Sequence, residues 1–199
     1  MEVMAIKRNN YEILIPDYYQ RLEPQPDDPK DAYICGVQTD HTLAIVKMLP
    51  IMPEDLVPRD RNELISGTRM YLNENQGIIE ADTCDKYRYT IVKTILQPTH
   101  AMYTLLIQKF FDEEIIQIQG FFEEINETGI RDNMVFSMYR NQGIFGTKEN
   151  PFDGWAHDPF DQSITEGQLM NFSELRDFDE KFPGWPLTMC REMLYCQID

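Results

Sequence analysis

The chain has 199 residues, of which 42% are hydrophobic and 12% aromatic, a composition typical of a folded protein and too apolar for a disordered one. Its formal net charge is −16, and residues 112–199 alone carry 18 acidic and 6 basic side chains. Negative charge of this size repels phosphate backbones and anionic lipid, so nucleic acid and membrane surfaces are disfavoured as partners, whereas a basic protein partner is favoured.

No charge block or Gly/Ser tract divides the sequence, so we expect a single domain over residues 1–199. The first residues lack the apolar core of a signal peptide, and no apolar run approaches the ~20 residues of a membrane span. These features predict a cytoplasmic protein. The four cysteines form no CxxC pair and have no histidine at zinc-finger spacing, so we interpret them as buried thiols: Cys35, Cys84, Cys190 and Cys196.

The N-terminal part favours strands. Residues Tyr11 to Ile15 form a short apolar run before Pro16, typical of an edge or entry strand, and a proline-rich loop follows over 23–31. Two apolar runs, Tyr33 to Val37 and Leu43 to Met48, flank a polar turn. This pattern predicts a β-hairpin.

The period changes to that of a helix over residues 59–75. Leu64, Ile65, Thr68, Tyr71 and Leu72 share one face of this predicted helix. A proline near the start and a glycine just beyond the end fit the expected asymmetry of helix termini, and they are Pro58 and Gly77.

Four further strands are predicted in the middle of the chain: Ile78 to Thr83, Tyr87 to Leu96, Met102 to Phe111 and Ile115 to Glu123. The segments between them are too short for crossover helices, so we expect an antiparallel meander. In the second strand an alternating pattern predicts one packed face and one partly wet face.

The last third of the sequence favours helices and a long loop. Residues 131–141 have a short apolar stripe, and the Asp-, Pro- and Gly-rich stretch 146–168 reads as a loop. Asn171 with Glu174 predicts a capping box, and Pro186 opens a final helix. The whole order indicates an α+β fold, an antiparallel sheet of six to seven strands covered by helices as an α/β/α sandwich.

This order resembles the PsbP-like fold group, whose members include photosystem accessory proteins, a nuclear import factor and bacterial lipoproteins. The segments that carry the resemblance are 72–80, 89–93, 116–124 and 128–132, within a pattern of elements that spans residues 32–142. The C-terminal segment around 169–187 is similar to that of bacterial proteins of comparable length. The resemblance implies a binding or accessory role, and no functional residue is carried over because fold alone does not determine function.

No catalytic or cofactor motif is present: the sequence has no Walker loop, GxGxxG, HExxH, GxSxG or EF-hand loop. We therefore predict no cofactor and no metal. The segment 153–161 is the densest cluster of polar and aromatic groups, with candidate binding residues Asp153, Trp155, His157, Asp158 and Asp161. It could form a polar pocket or a cation site, but we favour the structural interpretation, in which its aromatic residues pin a long loop to the core.

A second acidic run, Glu123, Glu124, Glu127 and Asp132, stands at a strand-to-helix transition, and its candidate binding residues are Glu123, Glu124 and Glu127. Negative charge there stabilises a helix N-terminus, or it forms an acidic patch for a cationic partner. Outside these clusters we interpret His41 and His100 as solvated turn residues.

These observations favour a non-enzymatic protein-binding or accessory module that acts through an acidic surface, with immunity-like masking of a basic partner as one concrete case. Two alternatives stay open. One is an enzyme that uses His157 with the carboxylates of the Asp153–Asp161 loop. The other is a small-ligand carrier with an apolar cavity between the sheet and a helix.

Overall fold

The computed structural model of the protein describes residues 2–8, 11–51, 60–111 and 114–198. Within this part of the chain, seven strands form one antiparallel sheet. They are β3 (Gln20–Arg21), β4 (Tyr33–Gln38), β5 (Thr42–Ile51), β6 (Gln76–Thr83), β7 (Tyr87–Gln97), β8 (His100–Phe110) and β9 (Ile115–Glu124). Their spatial order is β3-β4-β5-β9-β8-β7-β6.

The predicted hairpin and meander are both confirmed, and a long pairing joins them. Strand β9 pairs with β5 over ten residues, from Thr42 opposite Glu124 to Ile51 opposite Ile115. The meander therefore returns to the hairpin and leaves β3 and β6 at the two edges of the sheet.

The predicted N-terminal strand forms, but it does not join the main sheet. Strand β2 (Tyr11–Pro16) pairs with β1 (Val3–Arg8) in a separate two-stranded hairpin. Ile13 and Ile15 are buried on the inner side of this hairpin. The hairpin packs on the C-terminal helix α3 (Pro186–Ile198), and burial of these apolar side chains stabilises the contact.

The predicted helix over 59–75 is shorter in the structure. Helix α1 spans Arg61–Arg69, and the Asp60 side chain caps it by accepting hydrogen bonds from the backbone N–H groups of residues 62 and 63. After Arg69 the backbone changes to tighter bonds of the i to i+3 type, which end the helix. The predicted start at Pro58 lies outside the described residues.

Gly77 was predicted to end that helix, and this prediction is wrong. It lies in β6, and a Cβ built on it would meet the Gln168 carbonyl oxygen at 1.7 Å. The glycine is therefore required by the close approach of the 146–168 loop to the edge strand.

The C-terminal third agrees with the predicted pattern in its main features. Helix α2 spans Ile130–Asn141, and the capping box of Asn171 and Glu174 is present at a 3₁₀ turn, 172–174. A second 3₁₀ segment over 176–181 leads to α3. The long loop also contains a two-residue strand, β10 (Ala156–His157), which pairs with β11 (Met170–Asn171).

Helices lie on both faces of the sheet, as the α/β/α prediction requires. Helix α1 packs on one face through Leu64 and Ile65, and α3 packs on the other through residues such as Leu194. One interpretation is corrected: Cys84 is exposed in a turn and Cys196 is half-buried, while only the other two cysteines are buried thiols. No helix within the described ranges is long and apolar enough to cross a membrane.

Candidate functional site

The two faces of the main sheet are packed to different degrees. In β9 every even-numbered residue is buried and every odd-numbered residue is half-buried. The register carries the same division into β5 and β8, where Ile45 and Thr104 flank Phe121 on the less buried side. We call the side formed by the odd-numbered residues of β5 and β9 and the even-numbered residues of β8 the half-open face.

Described elements cover the half-open face at its two sides. Over β6 and β7, Leu64 and Ile65 of α1 pack against a small cluster that includes Val92. Over β4 and β5, the loop after β3 approaches the sheet, and Asp28 accepts a hydrogen bond from the Lys47 ammonium at 2.5 Å. The strands between these sides remain half-exposed.

A groove with a volume of ≈ 520 Å³ lies where α1 meets the half-open face. This volume is within the range of ligand-binding pockets. Its walls come from residues 67, 68 and 70–72 on the helix side, and its floor comes from Thr90, Val92, Thr104, Leu106 and Gln119. At its mouth Met70 and Tyr71 are 82% and 87% exposed. Two large apolar side chains therefore stand in solvent beside an apolar groove.

The groove is chemically suited to binding and not to proton transfer. Its lining holds no charged side chain, and Tyr71 is the one titratable group among the described lining residues. Thr104 and Gln119 on the floor offer a hydroxyl and an amide for hydrogen bonds. Such a surface can accept an apolar side chain and fix its orientation by a few polar contacts.

Charged side chains on the half-open face form local pairs. Lys47 is held by Asp28, and the Nε2 atom of His100 lies 3.1 Å from Oε1 of Glu123. His100, predicted as a solvated turn residue, is therefore partly buried in a contact with Glu123, one of the candidate acidic residues.

The opposite face ends in a buried polar cluster. The Lys93 ammonium donates to Oε2 of Glu174 at 3.0 Å and to the Leu169 carbonyl at 3.0 Å. Tyr103 donates its hydroxyl proton to the other oxygen of Glu174 at 2.6 Å. Both oxygens of the Glu174 carboxylate are thus bonded, and the cluster fixes the segment after the long loop to β7 and β8.

Two buried arginines extend this cluster toward α2 and α3. Arg191 donates from Nε to Glu80 at 2.5 Å and from Nη1 to both oxygens of Asp179 at 2.9 and 3.0 Å. Arg131 donates from Nη2 to Asp179 at 3.2 Å and from Nε to the Ser173 carbonyl at 3.0 Å. These hydrogen bonds join α2, α3, β6 and the 3₁₀ segments to one another. We therefore interpret the network as structural.

Two carboxyl groups near the start of α2 are harder to ionise than usual. Burial raises the pKa of Asp132, and the nearby Glu174 carboxylate raises it further. Burial also raises the pKa of Glu124, although hydrogen bonds from the backbone N–H groups of Ala101 and Gly129 lower it. Desolvation is the dominant cause in both cases.

The candidate residues of the 153–161 loop do not converge on one site. Trp155 is buried in an aromatic cluster with Phe136 and Phe145, whereas His157 is exposed. Asp158 accepts a hydrogen bond from Arg69 at 2.7 Å and also accepts from two backbone N–H groups of its own loop. Asp153 and Asp161 are exposed. Among the residues that the structure describes, no group of three potential ligands could hold a metal ion.

The three candidate glutamates of the acidic run also lie in different environments. Glu124 is buried and accepts hydrogen bonds from the backbone N–H groups of Ala101 and, at 3.4 Å, Gly129. This places it at the N-terminus of α2, as the helix-start interpretation requires. Glu123 faces the half-open side and Glu127 is exposed.

His41 differs from its interpretation as a solvated turn residue. Its ring lies 3.4 Å from the Trp185 ring, centroid to centroid, and it is half-buried. The segment before α3 brings Trp185 next to His41, because Thr39 and Thr42 both donate hydrogen bonds to the Gly184 carbonyl.

Sequence reasoning named an apolar cavity between sheet and helix as one alternative but did not place the groove. The signal was the apolar run Met70-Tyr71-Leu72, of which helical periodicity assigned Tyr71 and Leu72 to the packed face of the helix. The helix ends one residue before this run, so Met70 and Tyr71 face solvent and only Leu72 packs on the cluster beneath α1.

No protein-family model and no curated protein sequence matches the chain. One similar solved structure is the Ran-binding protein Mog1p of Saccharomyces cerevisiae, with a TM-score of 0.41 and 10% identity over 63% of this chain and 79% of Mog1p. Another is a mutant of protein Mog1, with a TM-score of 0.41 and 9% identity over 64% of this chain and 80% of that one. At this identity and TM-score, no residue role is carried over to this chain.

Proposed function

We propose that the protein is a non-enzymatic binding module whose half-open face receives an apolar segment of a basic protein partner. The observation that carries the proposal is the apolar groove beside α1, with Met70 and Tyr71 exposed at its mouth. Large apolar side chains that stand together in solvent beside a groove mark an interaction surface.

The apolar contact supplies the affinity in this proposal. Full burial of a side chain such as that of Met70 is worth about 1.5–3 kcal/mol, and burial of Tyr71 adds an aromatic contact. Phe121, which pairs with Thr104 on the groove floor, extends the apolar surface across β9. A partner side chain in the groove would contact both the helix end and the sheet.

Charge supplies the choice of partner. The net charge of −16 attracts a basic protein over a distance and speeds its association. Of the acidic run, Glu123 lies on the half-open face and Glu127 is exposed in the turn after β9, while Glu124 accepts hydrogen bonds at the start of α2. Immunity-like masking of a basic partner is the concrete form of this proposal, because masking requires a tight complex with a cationic surface.

The test uses immobilised protein and a lysate of the source organism. Three forms are compared: the wild type, the double variant Met70→Ala/Tyr71→Ala, and the control Met134→Ala/Met138→Ala on the exposed side of α2. We expect a basic protein that the wild type and the control retain and the groove variant loses.

The retained protein is then purified and its binding kinetics are measured. Added salt should lower the association rate, since the charge attraction is long-ranged, and the groove variant should raise the dissociation rate. Equal retention by all three forms would contradict the proposed surface. A partner without excess positive charge would contradict the proposed role of the acidic charge.

A further inference from the structure

A second pocket lies at the outer edge of the sheet, around β6 and away from the groove. It has a volume of ≈ 460 Å³, within the range of small-molecule sites. Its apolar wall is formed by Tyr89, Phe160, Met170 and Leu175. This pocket is independent of the proposed protein-binding face.

The charges that line this pocket are balanced, in contrast to the acidic chain as a whole. Three arginines and three carboxylates contribute to the lining, namely Arg61, Arg176, Arg191, Glu80, Asp82 and Asp177. Glu80 is already bonded by Arg191 at 2.5 Å and by Arg176. Of the remaining carboxylates, Asp82 lies with Oδ1 3.9 Å from Nε of Arg61, and Asp177 is exposed.

Arg61 has donor capacity to spare. Its Nε atom donates to the Ala81 carbonyl at 3.2 Å, and its guanidinium lies 5.5 Å from the centre of the Phe160 ring. Among the bonds of the described residues, none uses its two terminal nitrogens. A planar guanidinium that is fixed through its Nε atom can bind a carboxylate through two parallel hydrogen bonds from its terminal nitrogens.

Tyr89 adds a neutral donor. Burial raises the pKa of Tyr89 to about 12, so its hydroxyl keeps its proton at neutral pH. The pocket thus offers cationic donors, a hydroxyl, the exposed carboxylate of Asp177 and an apolar wall.

We propose that this pocket binds a small zwitterion with an apolar side group, such as an apolar α-amino acid. The ligand carboxylate binds Arg61, its ammonium group binds Asp177, and its side group packs against Phe160 and Leu175. A simple anion would meet the carboxylates, and a simple cation would meet the arginines, so each lacks half of the favourable contacts.

Isothermal titration calorimetry on the full chain tests this with L-phenylalanine and L-leucine at millimolar concentration. Two half-molecules serve as controls: 3-phenylpropionate lacks the ammonium group, and phenethylamine lacks the carboxylate. We expect at least one amino acid to bind, and loss of one charged contact should weaken binding about tenfold or more. Binding of a half-molecule as tight as that of L-phenylalanine, or binding of neither amino acid, would overturn the proposal.

A matched pair of variants locates the site. Arg61→Gln should weaken binding of the amino acid, whereas Arg140→Gln, which removes the same charge from the exposed side of α2, should leave it unchanged. Thermal unfolding of both variants verifies that they are folded. An equal effect of the two substitutions would place the ligand elsewhere and overturn the assignment of the pocket.

Discussion

The two faces of the central sheet are made by the same strands, yet they differ in what covers them. On one face Phe122, Leu105 and Val46 are fully buried beneath α3 and the N-terminal hairpin. On the other face Phe121, Thr104 and Ile45, their neighbours along the strands, are half-exposed beside the groove. Residues one position apart thus belong to a packed core and to an open surface.

Under the proposed function, this difference assigns stability and binding to opposite sides of the sheet. The packed face consists of apolar side chains that touch one another and α3, so changes there should act on folding. The half-open face mixes apolar, hydroxyl and amide side chains, so changes there should act mainly on association. The predictions below separate these two effects.

The largest effect is expected from a matched pair of substitutions on β9. Phe122→Ala removes a fully buried ring that lies against Gly120 and should lower the free energy of unfolding by about 3–5 kcal/mol. Phe121→Ala, at the adjacent position on the half-open face, should cost much less because its ring is only half-buried. Urea denaturation of both variants measures the two losses, and similar losses would contradict the contrast between the faces.

A smaller but still large effect is expected at the buried polar cluster. Lys93→Met leaves the Glu174 carboxylate without its cation in a buried site and should cost about 3 kcal/mol. Lys86→Met, at an exposed turn residue, is the control and should have little effect. If thermal unfolding gave equal stability losses for the two lysines, the cluster would not hold the C-terminal segment to the sheet.

Glu124 should give the wild type a pH-dependent loss of stability. Burial raises the pKa of this carboxyl in the folded state above its ordinary value of 4.5. The unfolded chain therefore releases the proton first as pH rises, and folded stability falls from that value up through the raised pKa. Glu124→Gln removes this term, so the variant should gain stability relative to the wild type as pH rises.

Chemical denaturation at several pH values between about 4.5 and 8 follows this difference. Glu127→Gln, at an exposed position two residues into the turn, is the control and should show no such trend. A constant difference between wild type and Glu124→Gln across this range would contradict the raised pKa.

The smallest effect on stability is expected at the mouth of the groove. Met70→Ala/Tyr71→Ala should change the free energy of unfolding by only about 0.5 kcal/mol, because both side chains are already in solvent. A much larger loss in calorimetric unfolding would show that these residues are part of the packed structure and would remove the basis for a free surface.

Much of the fold was predictable because its signals are local. Alternation along Ile115 to Glu123, the short turns of the meander and the capping box of Asn171 and Glu174 each determine their own element. The surface was not predictable, because exposure depends on where distant segments meet. The length of α1 decided whether Tyr71 is buried, and the approach of the segment before α3 decided the contact of His41 with Trp185.

Site-specific photo-cross-linking tests the central claim most directly. A photoreactive amino acid is placed at Thr104 on the floor of the groove, and in a separate protein at Met138 on α2, which is 47% exposed. The account predicts that the protein retained from the lysate is cross-linked from position 104 and not from position 138. Cross-linking from position 138 alone would contradict the claim that the half-open face receives the partner.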